Sequence, residues 1–364
     1  MSADQLLIAL MALFAVLGAL DRIFGGRFGI GREFESGILT MGSLALAMVG
    51  IVCLAPVLAA VLRPVVVPVF RLLGADAAMF AGSILACDMG GGALARELTQ
   101  NADAAALGGV ITGSMLGATV VFTIPVAMGI LDEGDRPAMA KGILCGIITI
   151  PVGVLVGGLV AGFPLAMVAQ NLIPIVILAA LIALGLWRAE KAMVRGFELF
   201  GKGVVAVSTA GLAAAIAQSL TGWTIIPGMA PIADGFQTVG SIAIVLAGAF
   251  PLVAILTRLL RKPLLAAGKY LGINDAAAAG LIASLANSIA TFGMVKDMNP
   301  RGKVVNIAFA VSAAFVFGDH LGFTAGFAPE LLPAVILGKL SGGVSAVLVA
   351  LLLTAKEGNS TKRS

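Results

Sequence analysis

The sequence is poor in charged residues and in the side chains that most catalytic sites use. Only 12% of its 364 residues are charged, and it contains one histidine, one tyrosine and two tryptophans. An average soluble protein carries about 25% charged residues. Hydrophobic residues make up 60% of the chain, and the mean hydropathy is +1.08. These values exclude a soluble globular domain and predict an integral membrane protein.

Cysteines are also few, and the common cofactor and catalytic motifs are absent. Cys53, Cys87 and Cys145 lie far apart in apolar segments, so their spacing fits neither a disulfide framework nor a metal site. The glycine run "DMGGG" at 88–92 lacks the lysine and hydroxyl residue of a phosphate-binding loop, and HExxH and GxSxG do not occur. We therefore expect no metal, no cofactor and no ATP coupling within this chain.

The long apolar segments fall into two sets, because part of the sequence is duplicated. "GILTMGSLALAMVG" at 37–50 resembles "GFQTVGSIAIVLAG" at 235–248, and "LLGADAAMFAG" at 72–82 resembles "YLGINDAAAAG" at 270–280, both at an offset of 198 residues. The first copy has apolar segments 6–20, 38–62, 77–95, 106–131 and 139–162; the second has 203–220, 237–257, 276–295, 304–327 and 331–353. One further segment, 164–187, joins them.

This organisation predicts four regions. They are a first transmembrane repeat (1–163), a linking helix with an amphipathic cytoplasmic linker (164–200), a second transmembrane repeat (201–353) and a disordered cytoplasmic tail (354–364). Few charges interrupt the two repeats, and the basic residues, which give a net charge of +4, are scattered over short loops. That distribution favours membrane topology over nucleic-acid binding.

The third segment of each copy is unusual, because "DMGGG" or "NSIATFG" interrupts it with polar residues and glycine. If all eleven segments crossed the membrane, the 23 basic residues would divide thirteen to ten between the two sides. If the third segments enter and leave on one side, only Arg63, Arg71, Arg96 and Lys339 lie outside and the others are cytoplasmic. The positive-inside rule favours the second arrangement, with the amino terminus outside and the carboxyl terminus in the cytoplasm.

The predicted fold is therefore an all-α polytopic membrane protein with two inverted repeats of five hydrophobic segments. The third segment of each repeat is re-entrant or broken. Such repeats are an architecture of secondary transporters, whose substrate sites lie near the middle of the membrane. Irregular backbone at that depth is tolerated where protein or a water-filled cavity surrounds it.

Three ionisable residues deep in apolar segments are candidates for the site: Asp88, Asp319 and His320. Charged groups at the membrane centre are costly, which makes them functional hypotheses by default. The alternative for Asp88 is a helix cap at the glycine run, and the alternative for Asp319 and His320 is a buried structural network. Lys339 is expected to extend its ammonium group to the outer interface.

Uncharged polar residues and glycines complete the candidate set. Hydroxyl groups in membrane helices often bond to their own helix, so the structural interpretation is favoured for any single one. Asn287 is a better candidate, because it lies at the break of segment 276–295, near the repeat position of Asp88. The further candidates are Ser83, Thr123, Ser288 and Thr324 for substrate contact, and Gly90, Gly91 and Gly92 for the tip of the break.

Several blocks resemble the bacterial ethanolamine-utilisation transporter family, over residues 6 to about 355. The blocks are "LAPVLAAVLRPVVVPVF", "MFAGSILACDMGG", "GSMLGATVVFTIPVAMGI", "AAAAGLIASLANSI", "FGMVKDMNPRGKV" and "AFAVSAAFVFGDHLGFTA". The resemblance implies an ethanolamine permease of the bacterial inner membrane. This chain departs from the family at two places. Members usually have an aromatic residue at the position of Gly92, where a ring would suit a cation–π contact with the substrate. They also often read "LANNIP" where this chain reads "LANSIA", with Ser288 and Ala290.

Ethanolamine is a small ammonium ion with one hydroxyl group. Its ammonium would pair with the carboxylate of Asp88 or Asp319, and its hydroxyl with Thr123, Asn287 or Thr324. We expect import by alternating access, with ethanolamine and the lipid bilayer as partners, no nucleic acid, and a homo-oligomer as one possibility. The alternatives are a transporter or channel for another small amine or solute, and an intramembrane enzyme that uses Asp319 and His320 as an acid–base pair.

Overall fold

A computed structural model describes residues 3–355, apart from several side chains between residues 260 and 269, and it is helical throughout. Residues 356–364, most of the tail predicted to be disordered, lie outside the described residues. The first helices are α1 (Ala3–Ile23), α2 (Ile30–Leu44), α3 (Gly50–Leu72), α4 (Ala78–Ile84), α5 (Gly91–Leu98), α6 (Ala102–Ala105), α7 (Ile124–Ile130), α8 (Arg136–Ile147) and α9 (Ile150–Val160). They continue with α10 (Leu165–Thr221), α11 (Ile232–Leu271), α12 (Asp275–Ala286), α13 (Ser288–Met294), α14 (Pro300–Ala313), α15 (Asp319–Phe327) and α16 (Leu332–Leu353). π-Helical stretches lie at Ala45–Val49, Ala106–Gly117 and Thr119–Thr123.

Long apolar helices dominate the described residues, seven of them being long and apolar enough to cross a membrane. They are Asp4–Ile23, Ile30–Leu72, Ala102–Ile130, Glu133–Val160, Leu165–Thr221, Ile232–Leu259 and Pro329–Leu353. A bilayer core about 30 Å thick needs roughly 20 such residues. The chain is therefore a multi-pass membrane protein.

Helix α10 joins two segments that the sequence analysis separated. Its 57 residues include all but the first residue of the linking segment 164–187, and the first segment of the second copy, 203–220. At 1.5 Å per residue it is about 85 Å long, far more than one crossing needs. A kink at Ala189, whose φ of −143° and ψ of 48° are not helical, divides it. The predicted amphipathic linker is the helical stretch that begins at this kink.

Besides the two-residue turn between α8 and α9, three helix breaks lie inside the apolar segments of the described residues, and the sequence predicts two of them. Residues 85–90 separate α4 from α5, and Asn287 separates α12 from α13. The third break, at residues 314–318 between α14 and α15, was not predicted, because 304–327 was read as one segment. The backbone N–H groups of Phe315 and Phe317 donate to the carbonyl oxygens of Ser284 and Leu285 at the end of α12. This tertiary pairing stabilises the break, and Gly318 at its end packs so closely on Ala286 that an added Cβ would lie 2.2 Å from the Ala286 carbonyl oxygen.

Both of the predicted broken segments fold back on themselves. The Thr99 hydroxyl donates to Asp76 Oδ2 at 2.8 Å, and the side chain of Asn274 donates to the carbonyl oxygen of Asp297 at 2.8 Å. Asp76 and Asn274 are 198 residues apart, as are Thr99 and Asp297. The beginning and the end of each segment therefore lie side by side.

Helix α2, together with the π-helical stretch Ala45–Val49 that continues it, packs closely and antiparallel against α11. A Cβ added at Gly37 would overlap the backbone of Ala247, and one added at Gly235 would lie 2.7 Å from Cγ1 of Val49. Gly37 and Gly235 are 198 residues apart, and so are Val49 and Ala247. The same contact is thus made twice, by equivalent residues of the two duplicated stretches. Small residues allow this close approach of membrane helices.

Candidate functional site

Asp88 lies on irregular backbone between the two halves of a broken helix. Leu85 and Ala86 are extended, and a 3₁₀ turn at Cys87–Met89 leads to Gly90. The φ of Gly90 is 94°, a conformation that glycine adopts readily, and a side chain there would overlap Ile51. The glycine run therefore lets the chain turn sharply, and it leaves the Asp88 side chain only 13% exposed.

His320, from the first turn of α15, is the nearest ionisable partner of Asp88. Its Nε2 lies 3.7 Å from Asp88 Oδ1, beyond a direct hydrogen bond but within ion-pair range. The imidazole packs beside the Phe315 ring, with centroids 5.2 Å apart, and its Nδ1 has no hydrogen-bond partner among the described residues. Asp319 is half-buried and interacts electrostatically with Asp88. The three ionisable candidates from the sequence are thus brought together.

Lys339 is buried beside this group, contrary to the expectation that it reaches the outer interface. Its side chain is 1% exposed, and Nζ donates to the carbonyl oxygen of Ser114 at 2.5 Å. Gly338 and Gly342 pack α16 closely against Gly153 of α9, which places this face of α16 in the protein interior. Lys339 is within electrostatic range of Asp88. The prediction of an interfacial lysine was therefore wrong.

The formal charges of this cluster do not cancel. With Asp88 and Asp319 ionised, Lys339 protonated and His320 neutral, the cluster carries a net charge of −1. Uncompensated charge is costly where water is largely excluded. One additional monovalent cation would neutralise the cluster.

The uncharged candidates occupy different surroundings. Thr324 donates to the carbonyl oxygen of His320 at 2.7 Å, and Ser83 donates to that of Met79 at 2.7 Å, so both hydroxyl protons are used within their own helices. Asn287 caps α13 by accepting the Ile289 N–H at 2.7 Å. Thr123 is buried at the end of the third π-helical stretch, and Ser288 is fully buried.

Several buried polar atoms lack a hydrogen-bond partner among the described residues. Leaving such a group unpaired costs about 1–3 kcal/mol, so these atoms mark places where water or a ligand would be favourable. Apart from His320 Nδ1, they include Thr112 Oγ1, Ser288 Oγ, Asn306 Oδ1 and Ser312 Oγ. Of these residues, only Ser288 was selected from the sequence, since periodicity does not show which hydroxyl groups are already bonded to a helix.

The space beside Gly92 is filled by two aromatic rings of α15. A Cβ at Gly92 would lie 2.8 Å from Cζ of Phe323 and 3.0 Å from Cε1 of Phe327. These rings stack at 4.7 Å, and the Arg96 guanidinium lies over the Phe327 ring at 3.6 Å. At Gly91 a Cβ would lie 2.7 Å from the Ala86 carbonyl oxygen. The absence of a side chain at position 92 therefore leaves no void, because the rings of Phe323 and Phe327 from the second copy fill the space beside it.

One group of potential metal ligands overlaps the cluster. Cys87, Asp88 and His320 place one ligand atom each within 4.8 Å of one another. This group could not be found from the spacing of the cysteines, because Cys87 and His320 are distant in sequence and meet only in the fold. The neighbouring Lys339 ammonium opposes a divalent cation here, whereas a monovalent cation matches the net charge of −1.

The sequence comparisons identify the family of the chain. The family model described as "Ethanolamine utilisation protein, EutH" matches residues 3–353. The chain belongs to the EutH family. It is 58% identical to the probable ethanolamine permease EutH of Listeria monocytogenes over 353 residues, covering 97% of this chain and 95% of the relative. No solved structure matches the chain.

Two other relatives are similar to the chain over nearly their full lengths. The protein YxeR of Bacillus subtilis is 49% identical over 364 residues, covering all of this chain and 98% of the relative. The probable ethanolamine permease EutH of Escherichia coli is 48% identical over 395 residues, covering 98% of this chain and 97% of the relative. Permeases are transporters, so the EutH family assignment excludes the intramembrane enzyme considered from the sequence.

Proposed function

We propose that this protein is an ethanolamine permease of the bacterial inner membrane, and that Asp88 binds the ammonium group of the substrate. The observation that carries the proposal is that two carboxylic acids, Asp88 and Asp319, lie inside the protein with only one lysine, Lys339, and one histidine, His320, beside them. With both carboxylates and the lysine ionised and the imidazole neutral, this cluster has a formal charge of −1. Protonated ethanolamine supplies one positive charge and neutralises the cluster. The names of the relatives in Listeria monocytogenes and Escherichia coli support this substrate.

The hydroxyl group of the substrate requires a second, neutral partner. His320 supplies it, because its imidazole lies beside Asp88 and has an unpaired Nδ1 in a buried position. A neutral imidazole both donates and accepts hydrogen bonds, as a hydroxyl group does. Asp319, Asn287 and Ser288 lie at the neighbouring breaks. The buried Thr123 and Thr324 are further candidates for the hydroxyl group, and Gly90, Gly91 and Gly92 let the backbone approach the ligand.

Transport follows alternating access between two inverted repeats. Equivalent residues of α2 and α11 form the same contact twice while the two helices run antiparallel, as the Gly37–Ala247 and Gly235–Val49 pairs require. A two-fold axis that relates antiparallel helices is perpendicular to them and so lies in the membrane plane. The folded-back segments 76–99 and 274–297 are then re-entrant hairpins that enter from opposite sides. Their tips meet at the cation site, the amino terminus is outside and the carboxyl terminus is cytoplasmic.

Counterflow of labelled ethanolamine in proteoliposomes tests the function. Vesicles preloaded with unlabelled ethanolamine should transiently accumulate the label, which a carrier produces and a channel does not. The assay is run at acidic pH, so that protonated substrate does not cross the bilayer unaided. Choline and ethylamine as competitors distinguish ethanolamine from other small amines, and absence of saturable counterflow contradicts the proposal.

Asp88→Asn tests the site within the same assay. Removing a charged partner of a buried cation should lower uptake at low substrate concentration by about ten- to a hundredfold. Asp103→Asn is the matched control, because Asp103 is an exposed carboxylate at the start of α6. Equal uptake by the two variants would exclude Asp88 as the ammonium partner while leaving the permease assignment intact.

A further inference from the structure

An open apolar crevice lies between the kinked helix α10 and the first broken segment. It has a volume of about 450 Å³ and is lined by both arms of α10, including Leu181 before the kink and Met193 and Phe197 after it. Ile84 and Val120 line its far wall. Ser83 also borders the crevice, but its hydroxyl proton is already donated to Met79, so the crevice offers a ligand almost no polar partner.

The kink in α10 bears the marks of a membrane–water interface. Trp187, just before Ala189, is 72% exposed, and the Arg188 guanidinium lies over its ring at 5.1 Å. Tryptophan and arginine are typical of the zone between hydrocarbon and headgroups. The crevice in the angle of the kink is therefore open where lipid acyl chains meet their headgroups.

Basic side chains adjoin the apolar wall of the crevice. Lys191 and Arg195 are exposed, lie four residues apart on one helical face, and directly precede the lining residues Ala192 and Gly196. Of the acidic residues nearby, Glu198 pairs with Lys202 at 2.6 Å. The mouth of the apolar crevice therefore has an excess of positive charge. Its basic residues are Arg188, Lys191 and Arg195, and the remaining carboxylate is that of Glu190.

We propose that this crevice binds one anionic phospholipid, with an acyl chain between the arms of α10 and its phosphate on Lys191 and Arg195. The apolar lining fits the chain, and the basic stripe fits the headgroup. Ile84 is the last residue of α4, directly before the break that carries Asp88. The lipid chain would thus contact the segment that carries Asp88.

Fluorescence quenching by brominated lipids tests the proposal directly. Trp223→Phe leaves Trp187 as the sole tryptophan, and the protein is reconstituted in phosphatidylcholine with a minor fraction of brominated phosphatidylglycerol or brominated phosphatidylcholine. We expect brominated phosphatidylglycerol to quench Trp187 fluorescence at a mole fraction about threefold lower than brominated phosphatidylcholine needs. The reason is that each basic residue near the headgroups favours anionic lipid. Equal quenching by the two lipids would overturn the proposal without any further variant.

Two changes separate the headgroup contact from the chain contact. Lys191→Gln with Arg195→Gln should abolish the preference for phosphatidylglycerol. Gly196→Leu, whose side chain would extend into open space, should fill the crevice and reduce the preference while leaving the charges in place. Gly203→Leu is the matched control, because its added side chain also meets open space on the same helix, outside the crevice. A preference that survives both test variants would contradict the proposed site.

Discussion

His320 and Asp88 meet across the two duplicated halves of the chain, with 3.7 Å between Nε2 and Oδ1 although they are 232 positions apart. Each is placed by a helix break. Asp88 lies in the first break, and His320 follows the third, which is itself hydrogen-bonded to the second through Phe315 and Ser284. The proposed cation site therefore lies where three helix breaks are linked, and each half of the chain supplies part of it.

Substitution of His320 should affect recognition of the substrate hydroxyl more than recognition of its charge. His320→Leu is expected to lose about tenfold in preference for ethanolamine over ethylamine, which has no hydroxyl, since one hydrogen bond is removed. His320→Gln, which retains a donor and an acceptor, should preserve part of the preference. Inhibition constants of both amines in counterflow provide the measurement, and an unchanged preference in His320→Leu would assign the hydroxyl to another group.

Removal of the Lys339 charge should strengthen cation binding and slow its release. Lys339→Gln changes the formal charge of the cluster from −1 to −2, so the ammonium ion is held by an additional unbalanced carboxylate. We expect the Kd for ethanolamine to fall several-fold and the maximal exchange rate to fall with it. Lys202→Gln, which removes an exposed lysine, is the control. Weaker binding in Lys339→Gln would instead indicate that the lysine positions the π-helical stretch through Ser114.

An aromatic residue at position 92 should be incompatible with Phe323 in its present place. Gly92→Phe is expected to reduce both thermal stability and uptake, because a Cβ alone would lie 2.8 Å from the Phe323 ring. The double variant with Phe323→Ala should recover much of both, since the new ring would take the vacated volume. Gly129→Phe, where an added side chain meets open space, is the control. If Phe323→Ala brings no recovery, Phe323 is not what excludes a ring from this position.

Close packing between α3 and α10 should make Gly50 intolerant of a methyl group. A Cβ at Gly50 would overlap the carbonyl oxygen of Ser208, whereas one at Gly42 would point into open space. Gly50→Ala is therefore expected to destabilise the protein by about 1–3 kcal/mol, and Gly42→Ala to have little effect. Thermal unfolding in detergent measures the difference. Equal melting temperatures would show that α3 and α10 separate easily.

Cysteine labelling should place the two folded-back segments on opposite sides of the membrane. Gln100→Cys is expected to react with an impermeant maleimide from outside the cell, and Asp297→Cys only after permeabilisation. Both positions are exposed, while the native Cys53, Cys87 and Cys145 are buried and give little background. Reaction of both from one side would contradict the inverted arrangement.

The sequence predicted those features that depend on composition and local pattern. Apolar runs that polar residues and glycine interrupt predict the helical segments and the breaks at Asp88 and Asn287. The same pattern is the reason for choosing Asp88, Asp319 and His320 as candidate site residues. The break at residues 314–318 was not predicted, because it is stabilised by carbonyl groups from another helix. Lys339 was misplaced for a similar reason, since its burial depends on glycine contacts between α16 and α9 that hydropathy does not record.

The doubled contact between α2 and α11 has a consequence for the history of the chain. A single copy that inserted into the membrane in both orientations would form an antiparallel homodimer in which the equivalents of Gly37 and Ala247 meet twice. Fusion of two such copies, with one additional crossing between them, would reproduce the present interface and fix one copy in each orientation. Once they are fused, the two halves are free to diverge, and only one of them now has the histidine.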